Sequence, residues 1–344
     1  MKALPCIAAG LIAAVAIPYT AQAEPLTLKV AHFLPAVSNA HTKVIVPWCE
    51  KIATQSQDRL KCQIYPAMQM GGNPGQLFGQ ARDGIADIVW TLPGYTPGRF
   101  PISEVFELPF FSTTHEASSR ALWHFVQQHA QGEFAGVQPI ATWVNGPNYL
   151  HLRTKQVRTQ ADLSGLKVRA PSRLSNKLLE KLGAAPMGMP LPQAVESLSK
   201  GVIDGALLPW EVIPGVKMQE LAKYHAQTSG PRTMATSTMI YVMNKKKYDS
   251  LPADLKKVID DNSGPDTSAW VAQQFKAADE TGLASAQAQG NVIYDIDPEE
   301  MARWREATAS ITQDWIKDIS SKGANGQALY DAAAALVAEY SVRP

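Results

Sequence analysis

The chain has 344 residues, of which 45% are hydrophobic and 18% are charged, and its formal net charge is +1 at pH 7. This length accommodates two domains or one large domain, and the balanced charge argues against nucleic acid or an anionic membrane surface as a partner. No seven- or eleven-residue apolar period persists and no low-complexity tract occurs, which argues against a coiled coil and a disordered chain.

The N-terminal segment has the pattern of a secretory signal peptide. A short basic start precedes an almost wholly apolar run at residues 7–17, and residues 21–23 read Ala-Gln-Ala, a small-residue motif after which we expect cleavage. Cys6 precedes the apolar run, whereas the cysteine of a lipid anchor would follow it. No later stretch approaches the roughly 18 apolar residues of a membrane span. We therefore expect an exported, periplasmic protein with no direct membrane anchor.

Two cysteines, Cys49 and Cys62, remain in the mature chain. In an oxidising compartment an isolated pair is more often a disulfide than a metal site. Cys49 falls on the first predicted helix and Cys62 on the strand that follows, and a helix packed on a sheet brings such positions together. We expect a disulfide between them, with two separate buried thiols as the alternative.

The first predicted elements are a strand, a helix and a strand. Residues 26–30 alternate between apolar and polar, which is typical of a half-buried strand. Residues 44–52 place apolar side chains on one face of a helix, and Pro47 either kinks this helix or marks where its regular part begins. Residues 60–64 alternate again, so the order of elements indicates the start of an α/β sheet.

One sequence phrase occurs in both halves of the chain. A short helix ends at Gly84 before a strand at residues 85–90, and another ends at Gly201 before a strand at residues 202–207. Each glycine is followed by two apolar residues, an aspartate, the rest of the strand and a proline. We interpret this weak repeat as two similar lobes, each directing a strand end toward a shared cleft.

The later elements are further strands and several helices. Residues 141–152 contain two short strands around an Asn-Gly-Pro-Asn segment, where we expect the chain to cross between lobes. Residues 239–243 predict another strand. A helical pattern covers residues 252–289, and Gly264 with the proline after it is expected to bend or break this pattern. The pattern is helical again from residue 298 to the end.

Arg169 is the residue that says most about function. Residues 166–169 alternate like a short strand, and Pro171 ends this strand because proline cannot donate to a β ladder. Arg169 is therefore the last side chain of a strand, where α/β proteins open a crevice for ligands. A guanidinium there offers a planar fork that matches a carboxylate. A surface arginine on a strand edge is the alternative.

The sequence motifs of common enzymes are absent. Neither the nucleophile elbow G-x-S-x-G nor the phosphate-binding G-x-x-x-x-G-K nor the dinucleotide-binding G-x-G-x-x-G occurs, and the histidines make no metal-binding spacing. We therefore expect a protein that is not an enzyme and needs no cofactor, and we assign no metal ligands.

Aromatic and apolar residues collect instead near the ends of the predicted strands. Each alone is more often part of a core, but small-molecule pockets are mostly apolar with few polar anchors. Besides Arg169, the predicted ligand-binding residues are Phe33, Trp90, Thr91, Tyr95, Trp143, Tyr149, Leu208 and Trp210.

Three phrases, at residues 162–169, 182–186 and 201–205, resemble those of the solute-binding proteins of tripartite ATP-independent periplasmic (TRAP) transporters, DctP type. The similarity runs from about the signal peptide to the C-terminal helices. It implies an α/β, two-lobed periplasmic binding protein that closes on an organic acid in a cleft between the lobes and delivers it to membrane permease subunits. In that family the arginine matching Arg169 pairs with the ligand carboxylate, and a long helix crosses both lobes, which residues 252–289 would form.

The expected domain boundaries follow the two-lobed arrangement. Residues 1–23 are the signal peptide. We assign residues 24–146 and 234–273 to lobe I, and residues 147–233 and 274–344 to lobe II, so that the chain passes between the lobes more than once.

Departures from the sialate-binding members of that family point to the kind of ligand. Polar or charged groups of those members are matched here by Phe33, Leu92, Tyr149 and Leu208. Sugar hydroxyls left unpaired by this exchange would cost ~1–3 kcal/mol each. We therefore expect an apolar or aromatic monocarboxylate, such as an aryl 2-hydroxy or 2-keto acid, with its ring between the three predicted tryptophans.

Other ligands and roles remain as alternatives. A C4-dicarboxylate requires a second cation, which Arg153 would supply. A sugar acid is a further alternative, and a sensory binding protein would use the same cleft with a different partner.

Overall fold

The protein is described by a computed structural model that covers residues 24–342. The predicted signal peptide, with Cys6, lies outside the described residues. Within residues 24–342, eleven strands and thirteen helices alternate along much of the chain. The α/β class predicted from the sequence is therefore confirmed.

Two sheets organise the fold. Their strands are β1 Leu26–Ala31, β2 Leu60–Tyr65, β3 Ile88–Thr91, β4 Val137–Val144, β5 Tyr149–Leu152, β6 Lys167–Ala170, β7 Ala185–Gly188, β8 Gly205–Leu208, β9 Tyr224–Gln227, β10 Thr238–Asn244 and β11 Val292–Asp295. The first sheet has the order β2-β1-β3-β10-β4, and the second has the order β11-β9-β5-β8-β6-β7. Buried apolar side chains form one core cluster that includes residues of both sheets.

Helices pack around the sheets. They are α1 Val46–Gln55, α2 Leu77–Arg82, α3 His115–His129, α4 Gln160–Leu163, α5 Arg173–Lys181, α6 Leu191–Ser199, α7 Met218–Leu221, α8 Lys245–Asp249, α9 Ala253–Asp261, α10 Pro265–Ala288, α11 Pro298–Thr308, α12 Ser310–Ser321 and α13 Gly326–Ser341. A π-helical segment, Ala40–Ile45, precedes α1, so Pro47 stands at the start of the regular helix.

The repeated sequence phrase corresponds to a repeated piece of structure. The parallel strands β2-β1-β3 of the first sheet and β7-β6-β8 of the second have the same order. Asp87 Oδ2 accepts a hydrogen bond from the backbone N–H of Lys29 at 2.8 Å, and Asp204 Oδ2 accepts one from that of Lys167 at 2.8 Å. Each repeated aspartate therefore ties the start of one strand to its parallel neighbour.

The chain crosses between the sheets at residues 145–148 and 228–237, because β4 and β10 belong to the first sheet whereas β5 and β9 belong to the second. The first crossing is the one predicted from the sequence. Ser237 N donates to Asn145 Oδ1 at 2.8 Å, and Asn148 Nδ2 donates to Ser237 Oγ at 3.1 Å. These bonds hold the two crossing segments side by side.

The long helix α10 contacts β4 of the first sheet and the segment that follows β8 of the second sheet. Gly264, at a φ of 108°, precedes it and separates it from α9, so the helical pattern predicted at residues 252–289 is broken at this glycine. Thr142 N on β4 donates to Ser268 Oγ of α10 at 3.1 Å. Farther along, Asp279 Oδ1 accepts from Glu211 N, which follows β8, at 2.9 Å. The helix thus joins a strand of the first sheet to the end of a strand in the second.

The lobe boundaries themselves stay a prediction. The strands of each sheet agree with changes of lobe near residues 146 and 234. Helix α13, which is predicted to belong to lobe II, packs on α3, and α3 packs on β4 of the first sheet. The C-terminal helix α13 therefore packs on the part of the molecule that contains the first sheet.

The structure places a disulfide between Cys49 on α1 and Cys62 on β2, with Cα atoms 5.7 Å apart. Strand β2 is the edge of the first sheet, so the bond attaches the first helix to this edge. Among residues 24–342, no helix combines the length and apolar character needed to span a membrane.

Candidate functional site

A cavity lies between the two sheets, at the carboxyl ends of their parallel strands. It is lined by Phe33, Leu34, Trp90, Leu92, Tyr95, Asn145, Asn148, Arg169, Pro171, Leu191, Leu207, Leu208, Pro209, Glu211, Val212, Ser237 and Met239. Residues after β1 and β3 supply one side, and residues at the ends of β6 and β8 supply the other. This is the edge at which α/β sheets bind ligands.

Arg169 on β6 is only 2% exposed and forms part of the cavity wall. Its Nε donates to Met189 O at 2.9 Å, its Nη1 to Leu207 O at 3.1 Å and its Nη2 to Tyr95 Oη at 3.0 Å. These bonds use one N–H of each guanidinium nitrogen, so one N–H on each terminal nitrogen is left without a partner among the described residues. The guanidinium is held in place and still offers a fork of two donors.

Arg169 also has no counter-ion among the residues that the structure describes. Among residues 24–342, no carboxylate lies within the 4.0 Å that defines an ion pair. Burial lowers the pKa of Arg169, and the hydroxyl of Tyr95 offsets part of this effect. A buried cation without an opposite charge is costly, so the site is electrostatically complementary to a carboxylate.

Aromatic rings form the wall next to this guanidinium. Phe33 and Trp90 stack with their centroids 4.8 Å apart and 12° between their planes, and Tyr95 meets Phe33 edge-on at 5.4 Å. Trp90 Nε1 is buried and has no hydrogen-bond partner among the described residues. Flat ring faces with one free donor suit a planar ligand that carries oxygen atoms.

Five residues predicted from the sequence meet in the lining, namely Phe33, Trp90, Tyr95, Arg169 and Leu208. They come from both halves of the chain, as the repeat predicted. Whether each contacts a ligand stays a prediction.

The other four predicted residues lie outside the lining. Thr91 follows Trp90 on β3, and consecutive strand residues point to opposite faces. Trp143 stacks behind Trp90, with centroids 6.4 Å apart. Tyr149 and Trp210 pack on each other at 6.1 Å. Trp143 thus packs on a ring of the lining, and whether any of these four residues contacts a ligand stays a prediction.

Arg153, the candidate second cation, lies on the second sheet at the end of the strands that is farther from the cavity. It follows β5, which runs antiparallel to β8. Its backbone N–H donates to Asp204 O at 2.9 Å, just before the start of β8, whereas the cavity is at the end of β8. Arg153 is therefore not available to a ligand in this cavity.

Several polar residues of the lining were not predicted. Asn145, Asn148 and Ser237 line the cavity and are bonded to one another. The two asparagines bound the predicted crossing segment, which was a usable sequence signal. Ser237 and Glu211 had none, because their positions depend on contacts with distant parts of the chain.

The cleft is closed in this structure. A Cβ atom added to Gly94, which follows β3, would lie 2.7 Å from Cβ of Ser172, which follows β6. A Cβ atom added to Gly215 would lie 3.2 Å from Cα of Ser38. Both contacts join segments that follow strands of different sheets, so the two halves of the molecule meet at these two points.

Two buried histidines connect the second sheet to the cavity wall. His151 Nε2 lies 3.0 Å from Leu208 O and donates to it, because a carbonyl only accepts. At the other end, Asn291 Nδ2 donates to His225 Nε2 at 3.0 Å, so the proton of His225 is on Nδ1 and is donated to His151 Nδ1 at 2.6 Å. This series of hydrogen bonds requires both imidazoles to be neutral.

Among residues 24–342, no group of three or more His, Cys, Asp or Glu side chains is placed to hold a metal ion.

The buried histidines should make the protein sensitive to acid. Burial lowers the pKa of His225 from 6.5 to about 4 and that of His151 well below its ordinary value. A lowered pKa means that the unfolded chain binds the proton first, so the stabilisation is complete above pH 6.5 and is lost as the pH falls through about 4. We expect the free energy of unfolding to decrease over this interval by roughly 3 kcal/mol from His225, measured by urea unfolding.

Two variants distinguish the contribution of His225 from the general effect of acid on the free energy of unfolding. His225→Gln should make the pH dependence less steep without removing it, because burial also lowers the pKa of His32 to about 3 and that of His151 well below its ordinary value. His129→Gln, at an exposed position on α3, should keep the wild-type dependence. An equal slope in wild type and His225→Gln would show that the buried pair is not responsible.

A family model described as bacterial extracellular solute-binding protein, family 7 (DctP), matches residues 30–318. Among curated proteins, the outer membrane transporter protein TsaT of Comamonas testosteroni is 29% identical over 326 residues, which cover 94% of each chain.

Two solved structures are similar over nearly the whole chain. A TRAP solute-binding protein from Rhodoferax ferrireducens, in complex with copurified benzoate, is 45% identical with a TM-score of 0.90, covering 92% of this chain and 98% of that chain. A TRAP solute-binding protein from a marine metagenome, specific for aromatic acid ligands and crystallised with 3-hydroxybenzoate, is 40% identical with a TM-score of 0.90, covering 92% and 99%.

Proposed function

The chain belongs to the bacterial extracellular solute-binding proteins, family 7, and from this premise we propose that it is the TRAP-transporter receptor for an aromatic monocarboxylate. The observation that carries the proposal is the buried guanidinium of Arg169, which has two free N–H groups and no carboxylate partner among residues 24–342. A ligand carboxylate would accept both N–H groups as a bidentate pair.

The walls of the cavity support an aromatic group on that carboxylate. Phe33 and Trp90 present stacked rings, and Leu208 and Met239 complete an apolar surface around the same space. The two similar structures were solved with benzoate and with 3-hydroxybenzoate. A flat ring buried against such side chains gains both the hydrophobic effect and ring stacking.

The number of cations supports one carboxylate rather than two. Among the described residues that line the cavity, Arg169 is the one cationic side chain. A C4-dicarboxylate would leave its second charge unpaired, since Arg153 lies at the end of the strands that is farther from the cavity. A sugar acid would leave hydroxyls against apolar walls, which costs ~1–3 kcal/mol for each unpaired group.

The proposed role is capture and delivery without chemical change. The protein would act in the periplasm after removal of the predicted signal peptide, close on the acid and present the closed form to the membrane permease subunits. The contacts of Gly94 with Ser172 and of Gly215 with Ser38 are those that have to separate for loading and release.

We expect the mature protein to bind benzoate and to be stabilised by it. At about 100 times the dissociation constant, a ligand that binds only the folded state adds about 2.7 kcal/mol to the free energy of unfolding. Thermal-shift measurements followed by calorimetry should show this effect for benzoate and not for succinate or galactonate. Stabilisation by succinate alone would overturn the monocarboxylate assignment, and no effect of any carboxylate would overturn the receptor proposal.

A further inference from the structure

Glu211 is a carboxyl group in the cavity wall with no assigned partner. Its residue is 5% exposed, and Oε2 is buried with no hydrogen-bond partner among the described residues. The residue belongs to a 3₁₀ turn, Trp210–Val212, directly after β8. Its backbone N–H donates to Asp279 Oδ1 of α10 at 2.9 Å, so the position of the turn is tied to the long helix.

Within the described part of the chain, no positive charge compensates the carboxyl group of Glu211. Among residues 24–342, no lysine, arginine or histidine lies within ion-pair distance of its carboxyl group. Asp279 is itself paired with His115 at 3.0 Å. Burial and the nearby carboxyl group of Asp279 raise the pKa of Glu211 well above its ordinary value. A protonated carboxyl group has an O–H donor and also accepts.

Most other polar groups of the cavity are already occupied. Asn145, Asn148 and Ser237 bond to one another, and the free N–H groups of Arg169 are complementary to the ligand carboxylate. Trp90 Nε1 is also without a partner among the described residues, but an indole nitrogen only donates. Glu211 is the unpartnered group of the lining that, when protonated, can both donate to and accept from a ring substituent.

There is space on the far side of Glu211. A second, open groove of about 910 Å³ of empty space is lined by Glu211, Gly215 and residues of α10 such as Ala277 and Ala278. Glu211 thus separates the closed cavity from this groove and marks one end of the ligand space. A substituent that points toward the groove meets this carboxyl group.

We propose, on the basis of the proposed function, that Glu211 hydrogen-bonds a hydroxyl group on the ligand ring and so makes the receptor select hydroxylated aromatic acids. A phenolic hydroxyl both donates and accepts, as the free carboxyl group requires. A methyl group of similar size offers neither, and its presence would leave Oε2 unpaired in a dry site. The selectivity comes from this difference rather than from size.

The test compares hydroxyl and methyl substituents at the same ring positions. Calorimetry with the full mature protein should be run with benzoate, 3- and 4-hydroxybenzoate and 3- and 4-methylbenzoate. We expect at least one hydroxybenzoate to bind about tenfold more tightly than its methyl counterpart. Glu211→Met should abolish this ratio, whereas Glu211→Gln, which keeps a donor and an acceptor, should retain it. The control Glu220→Gln, at an exposed position, should leave the ratio unchanged.

The outcomes distinguish this inference from the proposed function. If the wild type binds the hydroxybenzoates and the methylbenzoates with equal affinity, the role of Glu211 is overturned. Binding of benzoate in the same experiment upholds the receptor assignment. This comparison uses the wild type alone, so it does not depend on the folding of a variant. A preference that survives in Glu211→Met also overturns the role of Glu211, because that variant has no carboxyl group to bond the hydroxyl. Failure of every aromatic acid to bind overturns both.

Discussion

Arg169→Lys is expected to weaken benzoate binding roughly 10- to 150-fold, which corresponds to about 1.5–3 kcal/mol. Lysine keeps the charge but loses the planar fork. One ammonium cannot replace the bonds to Met189 O, Leu207 O and Tyr95 Oη and also bind both oxygens of a carboxylate. Calorimetry on wild type and variant measures the loss, and urea unfolding without ligand shows how much of it comes from the fold.

A neighbouring cation provides the matched control. Lys167 lies on the same strand as Arg169 but is exposed, so Lys167→Ala should change the dissociation constant less than twofold or so. Wild-type affinity in Arg169→Lys would remove the guanidinium from the site and leave the carboxylate without its proposed partner.

Gly282→Ala is expected to destabilise the protein by about 3 kcal/mol or more, at the upper end of overpacking effects. A Cβ atom at this position of α10 would lie 1.9 Å from Trp210 O and 2.5 Å from Trp210 C. These atoms are backbone, so relief requires α10 to move away from the turn that carries Glu211. We therefore expect a lower thermal midpoint by several degrees, and weaker benzoate binding in the fraction that folds.

A second helical glycine separates this clash from the general effect of adding a methyl group. Gly79 on α2 has no heavy atom within 4 Å of an added Cβ, so Gly79→Ala should leave stability unchanged or raise it by about 0.5–1 kcal/mol. Equal thermal midpoints for Gly282→Ala and wild type would show that the helix and the turn are less tightly packed than the structure has them.

The strand ends were predictable because they depend on local sequence. Pro171 stops the strand of Arg169, and a strand that stops in an α/β sheet stops at the ligand-binding edge. The two aspartates of the repeat, Asp87 and Asp204, mark equivalent turns, since each bonds a backbone N–H of the adjacent parallel strand. Consecutive residues of a strand point to opposite faces, so Thr91 and Trp90 on β3 lie on different faces. The sequence pattern alone was enough to indicate this.

The sequence left open whether Arg153 supplies a second cation, and the reason is different. Whether β5 runs parallel or antiparallel to β8 decides which end of β5 faces the cavity, and no residue of β5 records that direction. The structure has the antiparallel arrangement, which places Tyr149 at the cavity end and Arg153 at the other.

The sequence by itself determined the α/β class, the family, the two-fold repeat and the guanidinium of Arg169 at a strand end. Each of these depends on residues close together in the chain. Only the tertiary structure decided which side chains line the cavity: Trp143 is turned toward Phe275 of α10, whereas Glu211 is held at the wall by Asp279, 68 residues away. Such contacts depend on the packing of distant segments, which leaves no local pattern in the sequence.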